Sequence, residues 1–367
     1  MRRRALLQSG MVLGAMGQVP GCAKAAKPHV LAAASDRQQN YWLTGMDADW
    51  QLMFKVPIPF RGHEIVYHPF APKVVLIARR PATWLYGFDL ADPHQGRLIQ
   101  SKQGYHFHGH GVFDPSGQWL YTAENDYVRG RGVIVVRDAH TLNPIRYVDS
   151  GGIGPHEMKL LPDGTMAIAN GGLLTHPSQP RKKLNRDNFE SNIAFLDLAD
   201  DRILDRIPAP FSQVSMRHLD IADEKIVVGF QDEGPSTRLI PLVGVIGKDR
   251  RFSIPEIDAT ALRRMKAYTA SVGVSPSGDV AVITSPRGHT VSVWDLNQLE
   301  HAGSFRLRDT AAVDWSTRTN GFVISGGGGD VFSISLDRLS KCETPPSDKR
   351  VHRSLAGLMW DNHLKVV

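Results

Sequence analysis

From about residue 30 onward the chain is written in short apolar runs separated by clusters of Pro, Asp, Ser and Gly. Asp114-Pro115-Ser116-Gly117, Pro162-Asp163-Gly164 and Asp223-Glu224 each close such a run, and turn chemistry of this kind between β-rich segments predicts hairpins. After each turn a second strand is expected, at residues 74–78, 118–122, 165–169, 225–230, 279–284 and 321–325. A third follows at 84–89, 133–138, 192–197, 290–295 and 331–336, often ending in an acidic residue. A shorter, more polar fourth is legible at 145–148 and 304–307.

Four strands per unit, with unit starts roughly 40 to 60 residues apart, is the period of a β-propeller blade. Units open at Gly62-His63-Glu64-Ile65, His108-Gly109-His110-Gly111, Gly154-Pro155-His156-Glu157, Met216-Arg217-His218-Leu219, Ala270-Ser271-Val272-Gly273, Ala311-Ala312-Val313-Asp314 and Ser354-Leu355-Ala356-Gly357, which makes seven. The last unit has an inner strand and little chain after it. Its outer strands are therefore expected from the N-terminal runs 30–34 and 41–43, a closure that protects sheet edges. The expectation is an all-β, seven-bladed propeller over residues 26–367; a sandwich does not accommodate so many four-strand units.

The first 25 residues read as a targeting segment and not as structure. Arg2-Arg3-Arg4-Ala5-Leu6-Leu7 resembles a twin-arginine export signal, followed by a modest apolar stretch at 11–17. Ala23-Lys24-Ala25 allows cleavage before Ala26, whereas Val19-Pro20-Gly21-Cys22 is close to a lipoprotein box; membrane attachment follows only if Cys22 is lipidated. Export to the periplasm is expected in either case. Arg2, Arg3, Arg4 and Lys24 lie in this segment, so the net charge of +6 falls by four to +2 on its removal. That gives no basis for nucleic-acid binding. Once the segment is cleaved only Cys342 remains, and no intramolecular disulfide can form.

The chemistry lies in the histidines. His63, His110, His156 and His218 occupy one position in four consecutive units, at a shared offset from the following turn. In a closed propeller such residues converge on the channel mouth. The ring they predict is one-sided, open toward Ser271 and Ala312. His106 and His108 precede His110 with period two and share its strand face if the segment is extended. Glu64, Glu157 and Asp220 follow the ring histidines and are candidate orienting partners or direct ligands; Glu124, with Asn125 and Asp126, is a further supporting candidate on the same face. Neutral imidazoles with carboxylates suit copper, iron or zinc rather than magnesium or calcium. The competing structural reading is a polar, wet channel lining. No H-E-x-x-H, C-x-x-C or Gly-x-Ser-x-Gly occurs, so neither the zinc signatures nor a hydrolase is indicated.

Other motifs are weaker. Ser325-Gly326-Gly327-Gly328-Gly329-Asp330 lies between strands and reads as a hairpin, not a phosphate loop. The insertion at 173–190, with Arg181-Lys182-Lys183-Leu184-Asn185-Arg186, reads as a solvated loop, its alternative being a cap on the channel mouth that attracts an anion; His176 reaches the ring only if that loop folds inward. Arg217 and Arg287 suit carboxylate or phosphate binding, against a structural role. Trp294-Asp295 resembles a WD-type blade end without the rest of that repeat.

His106-Phe107-His108-Gly109-His110-Gly111, Gly154-Pro155-His156-Glu157-Met158, Ala169-Asn170-Gly171-Gly172, Arg217-His218-Leu219-Asp220 and Ser285-Pro286-Arg287-Gly288 together resemble a family of uncharacterised exported bacterial β-propellers. The likeness runs from about residue 28 to 365. It implies twin-arginine export, a genetic neighbourhood of imelysin-like iron-regulated lipoproteins and a dihaem-peroxidase-like oxidoreductase, and hence an accessory role in periplasmic iron or other metal acquisition. It implies an imelysin-like or cytochrome/peroxidase-like partner, and no catalytic residues. The fold is more distantly similar to the propellers of amine dehydrogenase heavy subunits and nitrous oxide reductase, a likeness that carries no function. Three functions stay open: a metal-binding accessory protein, an oxidoreductase using a metal or quinone-type cofactor, and an interaction scaffold without cofactor.

Overall fold

A computed structural model describes residues 27–180, 182–235, 237–339, 352–355 and 357–367. The expected export signal, Cys22 and Cys342 lie outside the described residues. The rest folds as seven four-stranded antiparallel sheets arranged as a β-propeller. The inner strands of blades 1 to 7 are Gly62–Tyr67, Tyr105–Phe113, Pro155–Leu160, Val214–Ala222, Ser271–Val274, Thr310–Ser316 and Leu358–Val366, each packed on its neighbours around the axis. The only helices of more than three residues among the described residues, Ala259–Arg264 and Leu336–Leu339, lie in connections.

Period two along each strand explains why the runs are apolar without clean alternation. In Lys73–Ala78, the second strand of blade 1, Val74, Leu76 and Ala78 pack against Leu31, Ala33 and Leu43 of blade 7. Val75 and Ile77, pointing to the other face, pack against Phe107, Phe113 and Leu120 of blade 2. Both faces of every sheet are buried against a neighbour, and the seven apolar clusters each lie between two successive blades. Each such Val, Leu or Ile contributes about 1.5–3 kcal/mol relative to exposure. Stability thus comes from blade-to-blade packing.

Closure is made by hydrogen bonds between the chain ends. Val30–Asp36 pairs antiparallel with Leu358–Val366, from Val30 opposite Val366 to Asp36 opposite Leu358, and continues to Tyr41–Met46 and Leu52–Ile58. The third of these strands was not legible in the sequence. The seventh unit also begins later than expected. Ser354 ends His352–Ser354, the outer strand of blade 6, so the inner strand of blade 7 starts at Leu358. In blade 4, whose third strand no run announced, Val243–Ile246 and Phe252–Ser253 complete the sheet. The glycine-rich segment is the expected hairpin between Gly321–Gly326 and Asp330–Ser335.

Candidate metal centre

An interruption of the β-ladder recurs in the inner strands that bear histidine. Register shifts fall between Gly62 and Ile65, Phe107 and Gly111, Pro155 and Met158, Met216 and His218, and Trp360 and Leu364. Extra residues at a bulge bend the strand and re-aim side chains. His63, His110, His156, His218 and His363 each lie within or at the edge of one, and all five turn toward the axis.

They form a closed cluster. Ring centroids are 4.9 Å apart for His63 and His110, 4.6 Å for His110 and His156, and 4.7 Å for His156 and His218. The circuit returns through His218 to His363 at 5.0 Å and His363 to His63 at 4.5 Å. His110 is the hub, because it also contacts His363 at 4.6 Å and His218 at 5.6 Å. The expected opening toward Ser271 and Ala312 is therefore absent: the His218–His363 contact bridges it. Gly109, at φ +111°, permits this packing, since a Cβ there would stand 2.4 Å from Cδ2 of His63.

Carboxylates set the imidazole tautomers. Glu64, which follows His63, accepts from Nδ1 of His110 at 3.1 Å and from the Gly111 amide at 3.0 Å. Glu157, which follows His156, does the same for His218 at 3.3 Å and Leu219 at 3.1 Å. Asp361 takes Nδ1 of His63 at 2.9 Å. With Nδ1–H donated outward, the Nε2 lone pairs of these three rings remain for the interior. Blade 2 has Gly111 where blades 1 and 3 have Glu64 and Glu157, and correspondingly Nδ1 of His156 is buried without a partner, as are Nε2 of His110 and Nε2 of His363. Orphaned buried polar atoms are uncommon and call for an explanation such as an ion.

Burial is the leading cause by which all five rings are less basic than ordinary histidine, and repulsion from neighbouring imidazoles adds to it at His63, His156, His218 and His363. His110 is brought to about 4 and His363 to about 3. The cluster is accordingly neutral, which is the metal-ligating form. Donor atoms of His63, His110 and His363 lie within 4.8 Å of one another, as do those of His110, His156 and His218, and those of Glu64, His110 and Glu157. His110 belongs to all three sets. Zinc binds imidazole at about 2.0–2.1 Å, so a small contraction brings such a triad onto one ion. Buried His and Glu groups are thus placed to hold a metal ion.

The layers beside the ring differ in charge. Toward the turn end of the inner strands, Nζ of Lys159 stands 3.4 Å from Glu157 and 3.3 Å from Asp220. Burial alone would make Lys159 a weaker base, but Asp220, Glu157 and Glu64 hold it well above the usual lysine value. At the other end Arg217, Lys183 and Arg186 all pair with Glu233, and Arg61 and Arg79 with Asp361.

The remaining predicted residues divide. His106 donates from Nδ1 to Phe107 O (2.9 Å) and accepts at Nε2 from the Thr175 hydroxyl (3.2 Å), which occupies both nitrogens, and it stacks on His108 rather than joining the ring. His108 reaches the edge, 5.8 Å from His156, with Nε2 3.0 Å from Asn125 Nδ2 and Nδ1 buried and unpartnered. The bulge after Phe107 breaks the alternation that would have put all three on one face. Asp220 does not orient an imidazole; it accepts from the Val274 amide at 2.9 Å and pairs with Lys159. Glu124 is committed to Arg137 and Thr122 inside its blade, on the sheet face opposite Asn125. Arg217 is buried and bonded to Ser215 and Glu233. The insertion of blade 3 packs inward over the mouth: Lys183 meets Glu233 and Thr175 meets His106, while His176 stops at Tyr127, 4.6 Å away.

Sequence reasoning missed His363, Asp361 and Arg80. The signal for the first was present: His363-Leu364-Lys365-Val366 carries the same polar–apolar alternation as His218-Leu219-Asp220-Ile221, shifted beyond the place where the seventh unit was expected.

Residues 56–367 match the family described as Protein of unknown function (DUF1513). The chain belongs to that family. No curated protein matches it. Among solved structures this DUF1513 propeller is similar to Kuenenia stuttgartiensis hydrazine synthase, with a TM-score of 0.64 over 87% of this chain and 99% of that one. At 14% identity the likeness shows the fold alone.

Proposed function

We propose that this DUF1513 member is a transition-metal-binding propeller whose centre is built by His63, His110, His156, His218 and His363. The carrying observation is the convergence of five neutral, buried imidazoles with orphaned nitrogens, three of them braced by carboxylates at Nδ1. Imidazole-rich sites follow the Irving–Williams order, which favours copper, then zinc, over iron(II). The protein supplies the coordination set and its orientation; the bound ion would supply Lewis-acid or redox chemistry.

The physiological role we assign is metal acquisition in the periplasm, iron among the candidates, alongside an imelysin-like or cytochrome/peroxidase-like protein. Support for that finer reading comes from the arginine-rich first residues and the family resemblance.

The test is elemental analysis of protein purified untagged from its own compartment, together with metal-free protein titrated with Cu(II), Zn(II), Fe(II) and Co(II). One tightly held ion per chain, absent in His110→Ala and weakened in His363→Gln, is expected. A Co(II) or Cu(II) spectrum typical of nitrogen ligation would identify the donors. Failure of folded wild-type protein to retain any of the four ions would overturn the reading.

A further inference from the structure

The channel end opposite Lys159 gathers more positive charge than the fold neutralises. Arg217, Lys183 and Arg186 share the single carboxylate of Glu233, and Arg61 and Arg79 share Asp361, which also braces His63. Arg287 lies with Cζ 4.2 Å over the Tyr268 ring, and its charge is felt at Arg217. Arg80 adds a further guanidinium. It is only partly exposed and lies within electrostatic reach of Arg79, Arg217, Tyr268 and Glu233 and of His106, His108, His156 and His218. The turn that carries it borders the histidine cluster: the preceding Arg79 pairs with Asp361, which also holds His63, and the carbonyl of Ala82 accepts from the Phe107 amide between His106 and His108. Among the described residues no carboxylate approaches its nitrogens within ion-pair distance.

A desolvated guanidinium without a counter-ion is costly, and an arginine does not relieve that cost by losing its proton. Burial, then Arg217 and Arg79, weaken Arg80 as a base to about 9, against the opposing pull of Tyr268 and Glu233. Geometry adds specificity: the planar fork binds carboxylate or phosphate oxygens in pairs, and Arg80, Arg217 and Arg287 come from three different blades around one axis.

We propose that this mouth is a binding site for a small multivalent oxyanion, a polycarboxylate or a phosphate, held by Arg80 with Arg217 and Arg287 beside the histidine cluster. The inward-packed insertion of blade 3 forms one wall through Lys183. The site stands on the arginines and does not require a metal beside it. Where the metal reading holds, it deepens that reading, because an anion seated there presents oxygen donors to the face of the ring and selects metal carried as an anionic chelate.

Calorimetric titration of citrate and of inorganic phosphate into metal-free full-length protein, at low ionic strength, tests this. Saturable binding of at least one of the two is expected, and which one binds distinguishes carboxylate from phosphate. Arg80→Gln should weaken it at least about tenfold, the loss of one charge-assisted pair, and Arg80→Lys less so, since the charge stays and the fork is lost. Arg80→Gln removes no hydrogen bond of the fold, so its thermal midpoint should match wild type. His110→Ala should still bind the anion, which separates this proposal from the metal reading. No saturable binding of either anion to the wild type, or binding unchanged in Arg80→Gln, would overturn it.

Discussion

Blades 7 and 1 to 4 differ from blades 5 and 6 in what their inner strands present to the axis. The former deliver His363, His63, His110, His156 and His218; at comparable places the latter have Ser271 and Ala312, both buried. Blade 5 pairs Ser271–Val274 without a register shift, while blade 6 keeps the bulge between Thr310 and Val313 and fills it with Ala311 and Ala312. The apolar clusters flanking blades 5 and 6 are built like those of the other five. Scaffold and chemistry are therefore separable in this molecule. The bulge is a device of the fold, and the imidazole is what five blades have put on it.

The strongest way to break this comparison is at the hub. His110→Ala should lower metal affinity by more than about 100-fold, beyond the loss of an orienting partner, whereas Ser271→Ala should leave it unchanged; competitive chelator titration reads both. The converse change lies in blade 5. Ile283→Ala should destabilise by about 2–5 kcal/mol through lost burial and a residual cavity, measured as a shift in the urea midpoint, with metal stoichiometry retained. If metal is lost in step with stability, scaffold and chemistry are not separable.

Glu157→Gln tests the orienting carboxylates. It should weaken metal binding by about 10–100-fold while leaving ion number per chain at its wild-type value. A neutral amide still accepts from Nδ1–H of His218 and from the Leu219 amide, so the fold should persist.

The smallest effect per residue is a pH dependence of the metal-free protein. A ring histidine is neutral when folded, with His110 brought to about 4, and titrates near the ordinary histidine value of 6.5 when unfolded. Between those values the unfolded chain binds the extra proton. Stability is therefore complete above about pH 6.5 and falls as pH drops toward 4, by at most about 1.4 kcal/mol per pH unit for each such histidine. His110→Gln should make the slope shallower in urea melts at pH 7, 6 and 5, and Ala312→Gly should not; equal slopes in all three proteins would show that the ring does not titrate as described.

Much of the architecture was legible because its determinants are local. Turn residues and apolar runs repeat at blade spacing, and Trp84–Asp89, Asn192–Asp197 and Thr290–Asp295 fall where the pattern puts third strands. The histidines at His63, His110, His156 and His218 were legible for the same reason: position within a repeat is a sequence property. His106 and His108 stack side by side as period two requires, but His110 does not continue the row, since the bulge before Gly111 intervenes. Glu124 shows the same rule working correctly but unread, as alternation sends it into the blade and Asn125 toward the channel.

What the sequence determined by itself, then, is the repeat, its strand content and the chemical kind of four of its axial residues. Tertiary structure decided the rest. Closure pairs Val30 with Val366 and so carries His363 into the ring beside His63, a neighbour almost the whole chain away. It also stacks Asp361 beneath His63 and brings Arg80, Arg217 and Arg287 from separate blades to one mouth. The physical reason is that propeller strands repeat locally, whereas the axis is a place where distant loops meet. Which charges face one another there depends on circular closure and on bulge geometry, neither of which leaves a local trace in the chain.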